Sequence, residues 1–352
     1  MKRVVMCSMI AVATACCGSD YEFLVVGDTH YDSTDTWCES AAWHKSQLNS
    51  HAWNLKRWER AIPNLLQEAG QRAAEGVDFV AHMGDMIFGE CGDADLHEKA
   101  ARDGLAMMVD TFKMPFYVVK GNHEARNKFA RDAFNKVVRP YQEKTWGHVS
   151  SDGKANYAMM HKGDLYICFD FLEPDIEFVE KTLLAYPTAR HLFFLSHSPL
   201  IPCTFNAAPA AIFDKPKEFE KRRKLIDLLA SRSAVVLCGH LHRSIFLRYQ
   251  CEAGVVTQVC IYSMPAEEKP LPVNRIDGDG KMFIEHKEVA KAIAGESPQA
   301  KLLKEILGGI ETCSDFGAAA GYVVMRRGTD EVWADFYFYG DNKPLASFAM
   351  RP

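Results

Sequence analysis

Five short sets of polar residues in this sequence carry side chains of the types that bind divalent metal ions. In chain order they are Gly27-Asp28-Thr29-His30, Gly84-Asp85, Gly121-Asn122-His123-Glu124, Ser196-His197-Ser198-Pro199 and Gly239-His240-Leu241-His242. Their carboxylate, amide and imidazole groups are typical ligands of borderline metals. Asp28 and His30 lie two positions apart, as do His240 and His242, so an extended backbone would point each pair to one side. The sets therefore predict a shared metal site.

Each set comes at the end of a short apolar run of strand length. These runs cover residues 21–26, 77–83, 115–120, 191–196 and 233–238. Helix-like stretches lie between them, over residues 54–75, 96–111, 127–138, 175–185 and 215–230. Alternation of strands and helices predicts an α/β fold with a largely buried sheet. Folds of this class place their sites at the carboxyl ends of the strands, where the five sets lie.

The remaining sequence is less regular. Residues 165–171 predict another strand, and residues 322–326 and 331–339 predict a closing strand pair. A helical insertion is expected over about 287–308. No long linker rich in Pro, Gly or Ser divides the chain, so we expect a single catalytic domain over residues 21–352.

In order and type, the five sets resemble the signature of the calcineurin-like metallophosphoesterase superfamily. That signature is Asp-x-His, Gly-Asp, Gly-Asn-His-Asp/Glu, a lone His and Gly-His-x-His. All five are present across residues 27–242, with Glu124 where many relatives have Asp. The resemblance implies a four-layer αββα sandwich of two mixed β-sheets flanked by helices. It also implies that the protein hydrolyses phosphate esters.

The resemblance further implies a site for two divalent or trivalent metal ions, such as Mn, Fe or Zn. The ligands of one ion would be Asp28, His30 and His242. The ligands of the other ion would be Asn122, His197 and His240. Asp85 would bridge the two ions, and a hydroxide between them would attack phosphorus without a covalent phosphoenzyme.

Two neighbouring residues are expected to act without binding metal. By the same resemblance, His123 would protonate the leaving alkoxide or stabilise charge on the phosphoryl oxygens. Glu124 would orient His123 and favour its protonated form. These two residues are the predicted catalytic residues.

Other functions stay open at this point. The superfamily also contains nucleases and nucleotide phosphodiesterases. The formal net charge is −5, from 41 Lys and Arg against 46 Asp and Glu, so no overall basic surface favours long nucleic acids. We therefore expect a small phosphorylated substrate. A non-catalytic binding protein on the same fold is a further alternative, although such relatives have usually lost metal ligands and none is lost here.

Residues 1–20 resemble a bacterial export signal. Lys2 and Arg3 precede an apolar run over 4–15 that is too short to span a bilayer, and this run ends in small residues suited to signal peptidase. Cys16 and Cys17 follow, as in lipoprotein signals whose first mature residue is a lipid-modified Cys. We expect an exported protein, either soluble in the periplasm or attached to a membrane through Cys16 or Cys17.

Several other residues carry predictions of their own. Eight cysteines lie beyond the export segment, which permits disulfides in an oxidising compartment, with a Cys38–Cys91 bridge left open.

Histidines in polar contexts are expected at the surface, and these are His44, His51, His97, His148, His161 and His286. Tryptophans after the first set either pack in the protein or contact substrate, and these are Trp37, Trp43, Trp53 and Trp58. Arg126 either meets the substrate phosphate or is solvated. The sequence makes no prediction of oligomeric state.

Overall fold

The structure, a computed structural model, describes residues 20–37, 45–126, 130, 132–147, 150–151, 154–203 and 211–350. Residues 1–19, which contain Cys16 and Cys17, lie outside this part of the chain. The strands are β1 (Tyr21–Val26), β2 (Phe79–His82), β3 (Phe116–Val118), β4 (Ser150–Ser151), β5 (Tyr157–His161), β6 (Asp164–Phe169), β7 (Leu192–Ser196), β8 (Val235–Cys238), β9 (Ile245–Cys251), β10 (Gly254–Cys260), β11 (Ile276–Gly278), β12 (Ile310–Asp315), β13 (Gly321–Arg327), β14 (Val332–Phe338) and β15 (Ala346–Met350). The α-helices are α1 (Lys45–Arg60), α2 (Ile62–Ala74), α3 (Ala94–Phe112), α4 (Arg139–Trp146), α5 (Ile176–Ala185), α6 (Phe219–Ala230), α7 (Gly280–Glu285), α8 (Lys287–Ala292) and α9 (Pro298–Gly308).

The strands form two mixed sheets. The first has the order β15-β14-β13-β1-β2-β3, in which β1, β2 and β3 are parallel and β13 runs antiparallel to β1. The second has the order β11-β12-β9-β10-β8-β7-β6-β5-β4, in which β6, β7, β8 and β10 are parallel. The predicted α/β class with two mixed sheets is confirmed.

Apolar side chains fill the space between the sheets and the space under the helices. Phe23 of β1 stacks on Phe79 of β2 at 4.8 Å between ring centroids, and it meets Phe193 of the second sheet edge-on at 5.3 Å. The next residue of β7, Phe194, belongs to the second core, which includes Leu229 of α6. Successive strand residues thus reach opposite cores, which is why these strands are apolar throughout rather than alternating. The predicted four-layer sandwich is confirmed.

The predicted elements agree with the structure apart from their boundaries. All five strands preceding the polar sets are present, and β13 and β14 form the predicted antiparallel pair. The predicted helix over 54–75 is two helices, with Pro63 in the first turn of α2, where its missing amide hydrogen does no harm. The helical insertion begins earlier than expected, at Gly280. Of the predicted helix over 127–138, the described residues form a π-helical segment at Phe134–Val138 that leads directly into α4, and residue 130 lies in no helix. Residues 127–129 and 131 lie outside the described residues.

Seven of the eight cysteines beyond the export segment lie in the described residues, and all seven are unbridged thiols. Cys91 is one of them, while Cys38 lies outside the described part of the chain. Within the described ranges, no helix has both the length and the apolar character that crossing a membrane requires.

A buried ion pair joins the two sheets at the end where β1 begins. Arg327 of β13 donates from Nε to Oδ2 of Asp164 in β6 at 2.6 Å, and both side chains are fully buried. The hydroxyl of Tyr21 in β1 donates to the same oxygen at 2.8 Å. The carboxylate of the second sheet is therefore held by two side chains of the first.

Replacing Arg327 should destabilise the fold strongly. Arg327→Met leaves the Asp164 carboxylate buried without its cation, which typically costs about 3–5 kcal/mol of unfolding free energy. Urea denaturation measures this loss. Lys181→Met, which removes an exposed pair with Glu177, is the control and should leave the midpoint nearly unchanged. A similar small shift for both variants would contradict the role of the buried pair.

Candidate metal centre

The five polar sets lie at the carboxyl ends of strands from both sheets. The first three follow β1, β2 and β3 of the first sheet, and the last two follow β7 and β8 of the second. Backbone hydrogen bonds hold the loops against each other, since Asp28 N donates to Gly84 O at 3.0 Å and Gly239 N donates to His197 O at 2.9 Å. The sandwich thus brings loops that are distant in sequence to one edge.

The side chains converge in two groups that share one carboxylate. The ligand atoms of the first group lie within 4.8 Å of one another and belong to Asp28, His30, Asp85 and His242. The ligand atoms of the second group meet the same limit and belong to Asp85, His197 and His240. Asn122 joins the second group, because its Oδ1 lies 3.1 Å from His197 Nε2. The structure therefore brings together all seven residues predicted as ligands, with Asp85 between the two groups.

The spacing of these atoms suits metal ions. Asp85 Oδ2 lies 3.9 Å from His30 Nε2 and 3.2 Å from His197 Nε2, and Asp28 Oδ1 lies 3.7 Å from His242 Nε2. Metal bonds of about 2.0–2.2 Å to nitrogen and oxygen place neighbouring ligand atoms about 3–4 Å apart. The donor set is also the mixture of imidazole, carboxylate and amide that such ions take. The residues present fit the implied metals.

The ligand loops adopt an unusual backbone conformation. Five of these seven residues have a positive φ, and these are Asp28 (54°), His30 (48°), Asp85 (50°), His240 (70°) and His242 (49°). Ten non-glycine residues of the described chain share this feature, so half of them belong to this site. The expectation that the paired ligands lie on extended chain is therefore wrong. Left-handed residues other than glycine cost about 1–3 kcal/mol each and cluster at functional sites.

Burial and neighbouring charges set the protonation of the imidazoles. Burial, helped by the nearby charge of His197, lowers the pKa of His240 to about 3, and burial lowers that of His242 to about 4. Burial opposes the charge on His197 as well, but the carboxylates of Asp85 and Asp28 outweigh it and raise its pKa to about 9. His240 and His242 are thus neutral at pH 7, which is the form that binds metal.

His123 lies beside the two groups and belongs to neither. Its ring is 4.3 Å from the ring of His30 between centroids, and its Nε2 is 3.8 Å from Asp85 Oδ2. Nδ1 bonds to the carbonyl oxygen of Phe88, and Nε2 lies 2.8 Å from Nη1 of Arg126. Both partners fix the tautomer, because a carbonyl only accepts and a guanidinium only donates. His123 therefore carries its proton on Nδ1 and presents an unprotonated Nε2.

Glu124 has a different role from the predicted one. Its carboxylate accepts hydrogen bonds of 2.7–3.1 Å from four backbone amides, which are those of Asp85, Met86, Ile87 and Gly121. The prediction that Glu124 orients the His123 ring is wrong, since the Phe88 carbonyl takes that place. Burial and the charge of Asp85 raise the pKa of Glu124 to about 7. Glu124 holds the second and third ligand loops together.

Residues outside the five sets support the first ligand loop. Asn54 Nδ2 and Trp58 Nε1 of α1 both donate to the carbonyl of His30, at 2.8 and 2.6 Å. His51 Nδ1 pairs with Asp32 Oδ2 at 2.8 Å. The expected surface position is wrong for His51, and also for His97, which is buried against the carbonyl of Glu124. The spacing of 51, 54 and 58 on one helix face was the available signal.

Gly239 lets the chain pass close to Asp28. A Cβ at position 239 would clash with Asp28 Oδ2, because the glycine backbone lies against that carboxylate. Gly239→Ala should therefore displace Asp28 and weaken metal binding about 10–100-fold, as changes next to ligands commonly do. Metal titration followed by calorimetry measures the loss. Gly308→Ala is the matched control, since a Cβ there meets open space, and equal affinities in the two variants would contradict the close approach.

Comparisons with known proteins agree with this geometry. The sequence model of the calcineurin-like phosphoesterase family matches residues 21–244. Comparison with curated protein sequences found no match. Among solved structures, a purple acid phosphatase from yellow lupin (Lupinus luteus) seeds is similar with a TM-score of 0.56 and 14% identity, over 94% of this chain and 54% of that one. This chain thus spans about half the length of the lupin protein.

Two further solved structures share the fold. A dimetal phosphatase from Danio rerio has a TM-score of 0.52 and 12% identity, over 94% of this chain and 98% of that one. PhoD has a TM-score of 0.54 and 12% identity, over 94% of this chain and 69% of that one. At these identities the likeness establishes the fold.

Proposed function

Because this chain belongs to the calcineurin-like phosphoesterase family, we propose that it hydrolyses phosphate esters with two metal ions held at the candidate metal centre. The observation that carries the proposal is the pair of ligand groups sharing Asp85. A chain that only bound a partner would have no need to keep both groups complete or to hold five strained residues there.

Each ligand group would hold one ion. The first ion would be bound by Asp28, His30, Asp85 and His242. The second ion would be bound by Asp85, Asn122, His197 and His240. When bound, two such ions lower the pKa of a water molecule, neutralise charge on the phosphoryl oxygens and stabilise an in-line displacement. Mn, Fe and Zn all suit these nitrogen and oxygen ligands.

His123 would assist the departure of the alcohol. His123 lines the same cavity as His30 and His242. Its unprotonated Nε2 would take a proton from the attacking water, once Arg126 has turned from this nitrogen to the phosphoryl oxygens, and would then pass that proton to the leaving alkoxide. Nη1 of Arg126 lies 2.8 Å from that nitrogen, and Nε of Arg126 lies 2.6 Å from Oε1 of Glu90. We assign Arg126 to the phosphoryl oxygens of the bound substrate, because this exposed side chain also lines the cavity beside the metal centre.

An assay of the metal-loaded full chain tests the proposal. We expect hydrolysis of p-nitrophenyl phosphate that a chelator abolishes, and comparison with bis-p-nitrophenyl phosphate separates a monoesterase from a phosphodiesterase. Hydrolysis of neither ester by protein of verified metal content would contradict the proposed function. The export signal over residues 1–20 stays a prediction.

A further inference from the structure

A cavity of about 340 Å³ opens beside the metal centre. Its lining includes His30 and His242 of the first ligand group together with His123, Phe88 and Trp53. Its volume lies at the lower end of the range for small-molecule sites. A phosphoryl group at the metal centre would therefore extend its alcohol portion into a space that Trp53 and Phe88 line in part.

Trp53 presents one open face of its indole ring. The Arg57 guanidinium carbon lies 3.6 Å from the ring centroid and covers the other face. The Trp53 side chain is nevertheless 54% exposed. Among the large apolar residues that are exposed in the described chain, Trp53 alone lines this cavity. A large ring that is exposed and also lines a cavity next to a reaction centre is available to contact a ligand.

Arg57 fixes this ring relative to the metal centre. Its Nη2 donates to the hydroxyl of Tyr262 at 3.3 Å and to the carbonyl of Met264 at 3.4 Å. The Tyr262 ring in turn stacks on the imidazole of His242, with centroids 5.0 Å apart and planes 17° from parallel. A continuous series of contacts thus runs from the Trp53 ring to a metal-binding imidazole. The indole is held in place before any ligand arrives, which reduces the entropy lost on binding.

We propose that the open face of Trp53 stacks on a planar aromatic ring in the alcohol portion of the substrate. The substrate class is then a phosphate ester whose alcohol portion carries an aromatic or heteroaromatic ring, such as a nucleoside monophosphate. This inference rests on the proposed function, because the metal centre must hold the phosphoryl group for the ring to reach Trp53. Stacking on an indole requires only that the ligand has a flat aromatic ring. The contact therefore favours substrates with an aromatic ring over those without one, whatever the ring is.

Adenosine 5′-monophosphate and ribose 5-phosphate provide a matched pair of probes. Both release a primary 5′-alkoxide on hydrolysis, and they differ at C1′, where ribose 5-phosphate carries a hydroxyl group in place of the base. For the wild-type full chain we expect kcat/KM to be about tenfold higher for the nucleotide, within the range that base–aromatic stacking supports. In Trp53→Ala the ratio of kcat/KM for the nucleotide to kcat/KM for ribose 5-phosphate should fall close to one. In Trp53→Phe, which keeps an aromatic ring, most of the preference for the nucleotide should remain. Trp53 is half exposed, so neither variant should unfold.

Trp333 supplies the control. It also has an arginine over its ring, with the Arg326 guanidinium carbon 5.4 Å from the centroid, but it lies in β14 at the opposite end of the first sheet. Trp333→Ala should leave the substrate ratio unchanged. The inference would be overturned if the wild type hydrolysed both esters with equal kcat/KM. It would also be overturned if Trp53→Ala left the ratio of the two kcat/KM values unchanged. In both cases the phosphoesterase function would stand.

Calorimetric binding separates the two proposals if neither ester is hydrolysed. Tighter binding of the nucleotide than of ribose 5-phosphate, with the difference lost in Trp53→Ala, would support the ring site although hydrolysis had failed. Equal binding of the two probes would overturn it.

Discussion

Asp85→Asn should empty both halves of the metal centre and lower phosphate ester hydrolysis by about a thousandfold or more, as expected when several kcal/mol of charge stabilisation are lost. Asp85 is the residue shared by the two ligand groups, so this one substitution removes a carboxylate ligand from both of them. The amide has the same shape as the carboxylate, and its oxygen can still accept the hydrogen bond that His123 N donates to Asp85 Oδ1 at 2.8 Å. The variant should therefore fold.

The effect is measured as metal content per chain together with steady-state kinetics, with circular dichroism to verify the fold. Asp110→Asn, which neutralises an exposed carboxylate on α3, is the matched control and should behave as the wild type. A folded Asp85→Asn protein that keeps its metal and most of its activity would show that Asp85 does not join the two groups.

His123→Ala should lower kcat about 10²–10⁴-fold, the usual contribution of a positioned proton donor. Metal content should not change, because His123 belongs to neither ligand group. The loss should also depend on the substrate. It should be large for an alkyl phosphate, whose alkoxide needs a proton to leave, and small for p-nitrophenyl phosphate, whose phenolate leaves without one. Equal losses on both substrates would contradict a role for His123 in protonating the leaving group.

The position of the site could be predicted from the sequence because sheet geometry gathers it. Parallel strands have their carboxyl ends at one edge, so Asp28, Asp85 and Asn122 must meet after β1, β2 and β3. His197 and His240 follow parallel strands of the second sheet in the same way. That the two sheets face each other followed from the family resemblance, since periodicity alone cannot place one sheet on another.

The conformation of the ligand loops was beyond sequence reasoning. Asp28 and His240 are not residue types that demand a positive φ, and the surrounding contacts impose it on them. The role of Glu124 was missed for a related reason. Its neighbour in sequence is His123, but three of its four amide partners lie 37–39 residues earlier in the chain. The resemblance implied His123 as the partner of Glu124, whereas the fold provides these backbone amides.

Several other strands of the second sheet were also missed. β9 and β10 are rich in Phe, Val, Ile and Tyr and are joined by the two residues Glu252 and Ala253, which is the pattern of a hairpin. The sequence therefore carries a signal for this hairpin. β4 and β11 have two and three residues, which is too short for a periodic pattern to detect.

The most direct test of the account is a metal titration of protein stripped by a chelator, with activity and bound metal measured on the same samples. We predict no phosphoesterase activity in the metal-free protein and a rise to a plateau at two ions per chain, with no comparable rise in Asp85→Asn. Full activity without metal, or a plateau reached at one ion per chain, would contradict the two-ion centre.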